Sequence, residues 1–247
     1  MLKHYSKLLI VVGTGILLSC KSLYPTTETA QLYKIKEIAF DSSIVHYYKP
    51  YKDSLDKIME LPLAELEEDL SKNLPESTLG NMMADILRTK TEQYTGKKMD
   101  IGILNYGGIR ISSLSKGTLK VIHAYNLMPF DNYLVTQELT GQQVQDFCDS
   151  IAQKKGWPVS GISFKIKNGR ATDIAVQGVA LDLNIKYQVA LSDYLAGGGD
   201  DMAFLKKIPN QNTGKLFRDA IIEYWKEQQA EGKKIDAHLE NRIIYVE

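Results

Sequence analysis

From about Leu74 onward the apolar positions of the chain fall into regular periods. Leu79, Met82, Met83, Ile86 and Leu87 recur at helical spacing, which predicts an amphipathic helix over residues 78–94 with the Ser77 or Thr78 hydroxyl capping its first turn. Residues 100–104 read as a short buried strand that runs straight into Asn105-Tyr106-Gly107-Gly108-Ile109-Arg110, where two glycines permit backbone shapes that other residues resist. Pro129-Phe130-Asp131-Asn132 turns into a strand over 133–136, and Thr140 caps a helix with Val144, Phe147, Cys148 and Ile151 on one face. Segments 162–166 and 172–176 flank Asn168-Gly169, a strong signal for a tight hairpin. A strand over 187–191 leads through Tyr194 into Gly197-Gly198-Gly199-Asp200-Asp201. A final helix from about Thr213 carries Leu216, Phe217, Ala220, Ile221, Tyr224 and Trp225, before a last strand over 242–246. Helices and strands mixed in this way predict an α+β architecture.

The N-terminal part has a different pattern. Lys3 and Lys7 precede an apolar run over residues 8–18, followed by Ser19-Cys20. Such a run is short for a helix crossing a bilayer core of roughly 30 Å and fits a signal peptide. Leu17-Leu18-Ser19-Cys20 resembles the bacterial lipobox, whose cysteine receives a lipid and becomes the new N-terminus. The organisation expected is a signal peptide over 1–19, a lipidated Cys20 with a tether over 20–32, and a folded domain over 33–247. The lipid would attach the chain to a membrane of the cell envelope, and Lys21-Ser22, lacking an inner-membrane-retaining Asp, favours the outer membrane facing the periplasm. Residues 33–38 alternate like a strand, and a helix should end near Met59.

Composition narrows the class. The 247 residues carry 30 Lys+Arg against 30 Asp+Glu and are 44% apolar, which excludes a disordered tail, a collagen and a polytopic membrane protein. Balanced charge with no run of five like charges leaves no electrostatic footprint for nucleic acid. Beyond Cys20 the chain has one cysteine, Cys148, so no intramolecular disulfide is expected after lipidation and stability must come from the core.

The chemistry concentrates in loops. Of His46, His123 and His238 no two lie within five residues, so neither a metal centre nor any other cofactor is expected in this chain. No Gly-x-Ser-x-Gly elbow is present. Three polar loops, at 105–110, 129–132 and 194–200, set an aromatic or a charge beside Gly or Pro. Phe130 and Tyr194 can stack on a ring, Asn105 can read its edge, Arg110 can bind anionic oxygens, and Asp200 can take hydroxyls.

At these residues the chain resembles a known family. The segment Glu76-Ser77-Thr78-Leu79-Gly80-Asn81-Met82-Met83-Ala84-Asp85, the loops Asn105–Arg110 and Pro129–Asn132, Leu139-Thr140-Gly141, and Tyr194–Asp200 match, in order and spacing, the C-terminal domain of 5′-nucleotidases. The resemblance implies a four-layer α/β/β/α domain that binds the nucleoside part of a nucleotide, with the base between Phe130 and Tyr194. It implies base-edge and sugar or phosphate contacts from Asn105, Arg110, Asn132 and Asp200. It also marks a departure: the family commonly has an arginine where this chain has Asn73, with Lys72 as the neighbour that can compensate. In that family the chemistry belongs to a separate metallophosphatase domain holding two metals, whose ligands are not expected among these residues. The expectation is therefore a nucleoside- or nucleotide-binding half-enzyme, inactive alone, working beside a separately encoded metallophosphatase subunit that carries the divalent metals. The alternative is a non-catalytic lipoprotein that scavenges nucleosides.

Overall fold

The computed structural model describes residues 41–246; the expected signal peptide, Cys20, the expected tether and the predicted strand over 33–38 lie outside the described residues. The chain divides after His46, and the unit from Tyr47 to Glu247 carries every described sheet. A helix, α1 (Ser42–Met59), ends where the sequence predicts and buries none of its residues.

Two sheets organise the body. The larger has five strands in the order β12-β6-β11-β3-β7, formed by β3 (Ile101–Ile103), β6 (Tyr133–Thr140), β7 (Val159–Ser160), β11 (Lys186–Ser192) and β12 (Asn210–Leu216). Its centre is mixed, with β11 antiparallel to β6 and parallel to β3. The smaller has the order β10-β9-β8-β13, with β8 (Ile162–Lys167), β9 (Arg170–Val176), β10 (Val179–Ala180) and β13 (Ile243–Tyr245). The β8–β9 hairpin turns through Asn168 and Gly169 at φ 51° and 74°, the left-handed pair that Asn-Gly supplies at little steric cost.

Helix α2 (Thr78–Thr95) begins at Ser77, whose hydroxyl accepts from the Gly80 N–H, and ends at Gly96 in the left-handed region. Its Leu79, Met83, Ile86 and Leu87 join Phe217, Ile221 and Trp225 of α5 (Phe217–Ala230) in one core. On the opposite face of the five-stranded sheet a second core gathers Ile101, Val135 and Val189, Ile162, Phe164 and Ile174 of the smaller sheet, and Phe147, Cys148 and Ile151 of α4 (Gly141–Gln153). Helices thus cover one face of the five-stranded sheet, while the four-stranded sheet and α4 together cover the other, the α+β arrangement expected. Cys148 is fully enclosed, and burial holds its thiol well above the ordinary range, which suits a small apolar core residue.

Several elements escaped the sequence pattern. A two-stranded ribbon pairs β1 (Pro62–Leu66) with β5 (Gly117–Lys120), and β2 (Leu70–Ser71) pairs with β4 (Ser113–Leu114). Helix α3 (Val121–Leu127) follows β5 and starts with His123 Nδ1 accepting from the Lys120 N–H at 2.9 Å, so this histidine is a helix cap. The last helix does not start at Thr213. Residues 210–216 form β12 at the edge of the larger sheet, where Thr213 Oγ1 donates to the Leu134 carbonyl at 2.8 Å, and Gly214 at φ 72° breaks any helical run before Phe217.

Candidate functional site

The loops that leave β3, precede β6 and follow β11 meet at one end of the strands of the larger sheet. They enclose a cavity of about 290 Å³ lined by Asn105, Gly107, Gly108, Arg110, Phe130, Asn132, Tyr194 and Asp200. All six side chains singled out from the sequence therefore converge, although they come from three segments spread over 96 positions. A larger groove, about 450 Å³, lies beside Leu74, Glu76 and Tyr245 and includes Asn73. The position where the resemblance expects arginine thus opens on a different hollow from the one holding the six.

Asp200 is the hinge of the cavity. Its Oδ2 accepts from Asn105 Nδ2 at 2.7 Å and its Oδ1 from the Tyr194 hydroxyl at 2.9 Å. One carboxylate thereby ties the loop after β3 to the closing loop after β11. The bond to Asp200 also raises the Tyr194 phenol above its ordinary range, because ionising it would set an anion beside a carboxylate. One of the two Asn105 Nδ2 hydrogens is thus committed to Asp200, while Oδ1 is enclosed without any hydrogen-bond partner, a costly state for an amide oxygen.

Phe130 and Tyr194 remain 39% and 44% exposed, large aromatic faces turned to an open space rather than into the core. The Arg110 guanidinium lies 5.5 Å from the centre of the Phe130 ring and donates to the Gly107 carbonyl at 3.3 Å. Asn132 is half-buried and fixed through its backbone, whose carbonyl accepts from the Phe217 N–H at 2.8 Å.

The glycines act through space more than through φ. Gly107 and Gly108 are not in the left-handed region; a Cβ on Gly108 would stand 2.9 Å from Asn105 Oδ1 and 3.1 Å from Leu104. At the other loop a Cβ on Gly199 would overlap the Tyr194 ring, which lies flat against this backbone. Gly198 at φ 90° and Asp200 at φ 52° then turn the chain so that the carboxylate faces back to Tyr194. The sequence does not single out Gly199; the one signal is a glycine run that begins three residues beyond an aromatic. Gly199→Ala is expected to push the Tyr194 ring out of place and weaken any stacked ligand severalfold, with the melting temperature unchanged; ligand titration beside thermal melting checks this.

Lys72 follows β2, with its N–H donating to the Ser112 carbonyl at 2.8 Å. It does not line the cavity; its Nζ sits 3.9 Å from the centre of the Tyr106 ring and donates to the Ile109 carbonyl at 2.7 Å. Among the described residues no three His, Cys, Asp or Glu side chains gather as a metal site. The one Asp-x-His spacing, Asp236 to His238, forms an exposed pair at 2.8 Å with no third ligand beside it.

Comparison with known proteins places this geometry. The family model described as the 5′-nucleotidase C-terminal domain matches residues 61–207. A 5′-nucleotidase of Vibrio cholerae is 25% identical over 213 residues, covering 80% of this chain and 36% of that protein. A cell wall protein of Listeria monocytogenes is 30% identical over 186 residues, covering 69% of this chain and 24% of its own length. Among solved structures, a 5′-nucleotidase precursor from Thermus thermophilus superposes with a TM-score of 0.70 at 27% identity, over 83% of this chain and 42% of that one. The chain spans between about a quarter and about a third of the length of these two relatives.

Proposed function

The chain belongs to the 5′-nucleotidase C-terminal-domain family, and from that premise we propose that it binds the nucleoside part of a nucleotide in the cavity between Phe130 and Tyr194. The observation that carries this reading is the convergence of two exposed aromatic faces, a carboxylate, an amide and an arginine on one space of about 290 Å³. The base stacks between the two rings. Each oxygen of Asp200 already accepts one hydrogen bond and keeps lone pairs for sugar hydroxyls. Asn105 offers its second amide hydrogen to the base edge, Asn132 serves the sugar or the base edge, and Arg110 takes anionic oxygens. Stacking contributes about 1–3 kcal/mol per base. Set against the entropy of association, affinities of order ten to several hundred micromolar are expected.

The reaction itself needs a group outside the described residues. A metal pair would activate water and clamp the attacking and leaving oxygens of a phosphoryl displacement, and the described side chains do not gather to hold one. The chain is thus read as the substrate-binding half of a nucleotide hydrolase. It works in the cell envelope, anchored through lipidated Cys20, beside a separate metallophosphatase subunit that holds the metals.

Isothermal titration of the purified protein with adenosine, AMP and UDP-glucose, followed by a phosphate-release assay with added manganese, tests both parts. Binding without phosphate release is the expected result. Robust metal-dependent release from the pure chain would overturn the half-enzyme, and absence of binding to all three ligands would overturn the nucleoside site. Arg110→Ala is expected to weaken AMP more than adenosine, and an equal loss for both would move Arg110 to the sugar.

A further inference from the structure

The two aromatic walls of the cavity are held by different means. Tyr194 is tied within the site, through its bond to Asp200. Phe130 stands instead on a turn over residues 128–132, between α3 and β6, and that turn is gripped from outside by the first two residues of α5. The Phe217 N–H donates to the Asn132 carbonyl at 2.8 Å. Arg218 does the rest: NH2 donates to Asp131 Oδ1 at 2.7 Å, and NH1 lies 3.5 Å from the Met128 carbonyl and 3.4 Å from that of Phe130, two longer contacts to one nitrogen. The guanidinium carbon sits 4.4 Å from the centre of the Tyr125 ring, so the last turn of α3 backs it.

Stability alone does not account for this placement. Arg218 is 10% exposed, and taking a guanidinium out of water is costly unless its partners are enclosed with it, whereas Asp131 is 78% exposed and screened by solvent. Arg218 Nε is enclosed with no partner at all. Its position near the start of α5 is also the end of a helix where the dipole disfavours a cation. What the arrangement does achieve is geometric. A planar fork holds the groups of residues 128, 130 and 131 in fixed directions, which an ammonium could not do. The Phe130 ring belongs to neither core, so the backbone of this turn decides where it points. A ring already in place spares the ligand the cost of ordering it.

We infer that Arg218 is a positioning residue for the stacking wall: from α5 it fixes the turn that carries Phe130, so that the ring faces the cavity before a ligand arrives. This rests on the nucleoside reading above and extends the site to a residue that does not line the cavity and lies beyond the family match ending at residue 207.

The test is a double-mutant cycle with Phe130. Adenosine affinity is measured by NMR titration, which reads the weak binding of Phe130→Ala, for the wild-type protein, Arg218→Met and Asp131→Ala, each with Phe130 present and with Phe130→Ala added. Both variants are expected to lose about threefold to tenfold in affinity when Phe130 is present and less than about twofold when it is absent. In the ligand-free protein the amide order parameters of Phe130 and Asp131 are expected to fall in both variants while those of α2 stay unchanged. A purely structural role would weaken adenosine by the same factor in both backgrounds, and that result overturns the inference, as does unchanged affinity in Arg218→Met. Should Arg218→Met fail to fold, Asp131→Ala, at an exposed position outside the cavity lining, decides by the same criteria. These failures leave the nucleoside site standing, whereas a wild-type protein that binds no adenosine overturns the nucleoside reading and this inference together.

Discussion

Truncation of either aromatic, Phe130→Ala or Tyr194→Ala, is expected to weaken adenosine and AMP binding about tenfold or more, because each removes one stacking face worth about 1–3 kcal/mol. The fold should be indifferent to the change. Both rings are more than a third exposed, and the core clusters on either side of the five-stranded sheet do not include them. Surface truncations of this kind shift stability by roughly 0.5 kcal/mol or less. The two positions are not equivalent. Phe130 leans on Arg110, whereas Tyr194 lies on Gly199 and donates to Asp200. Phe130→Ala therefore also frees the Arg110 guanidinium, and Tyr194→Ala also releases one oxygen of Asp200. Tyr194→Phe separates the effects by keeping the ring and removing the hydroxyl, and should retain most of the affinity. Calorimetry with adenosine on the three variants, beside their melting curves, measures this; unchanged affinity in both alanine variants removes the sandwich.

The six residues of the cavity were legible because each sits in a loop at the end of a strand or before one, where an aromatic or charged side chain beside Gly or Pro has no core to enter. Their chemistry was less legible. Asn105 reads as a free amide in the sequence, yet one of its two amide hydrogens is committed to a residue 95 positions away. The ribbon of β1 with β5 joins Leu66 to Gly117, and nothing local in either segment announces that pairing. Strand β12 was hidden for a related reason: Thr213, Leu216 and Phe217 fit a helical period, but the open edge of β6 offers backbone partners that override it. Lys72 could be placed near a missing arginine but not beneath Tyr106, since that contact depends on how the β2–β4 pair sets the chain.

The first matched block, Glu76 to Asp85, has a different task from the loops, and the second large effect follows from it. Glu76 Oε1 accepts from Asn81 Nδ2 and from the Glu240 N–H, and Glu76 Oε2 accepts from the Arg242 N–H, while Asn81 also donates to the His238 carbonyl. Asp85 then receives Arg242 as a fork, with NH1 at 2.9 Å and NH2 at 2.7 Å, and the same guanidinium reaches the Val159 carbonyl and Glu240. The block is a clamp on the segment that leads into β13, which lies beyond the family match ending at residue 207. The Arg242 side chain is only 10% exposed, so Arg242→Ala leaves carbonyl and carboxylate groups unmatched in a largely dry setting. Breaking such a pair costs roughly 3–5 kcal/mol. Asp85 is 39% exposed and regains water, which puts the expected loss near the lower figure. For a domain of this size that lowers the melting temperature by on the order of 10 °C. Arg242→Lys should recover only part of it, since an ammonium cannot reproduce the fork. None of the clamp residues lines the cavity between Phe130 and Tyr194, so nucleoside affinity measured well below the transition should equal that of the wild type. A thermal melt unchanged in Arg242→Ala would show that β13 holds without the clamp, and a parallel loss of affinity would show that the two ends of the domain are coupled.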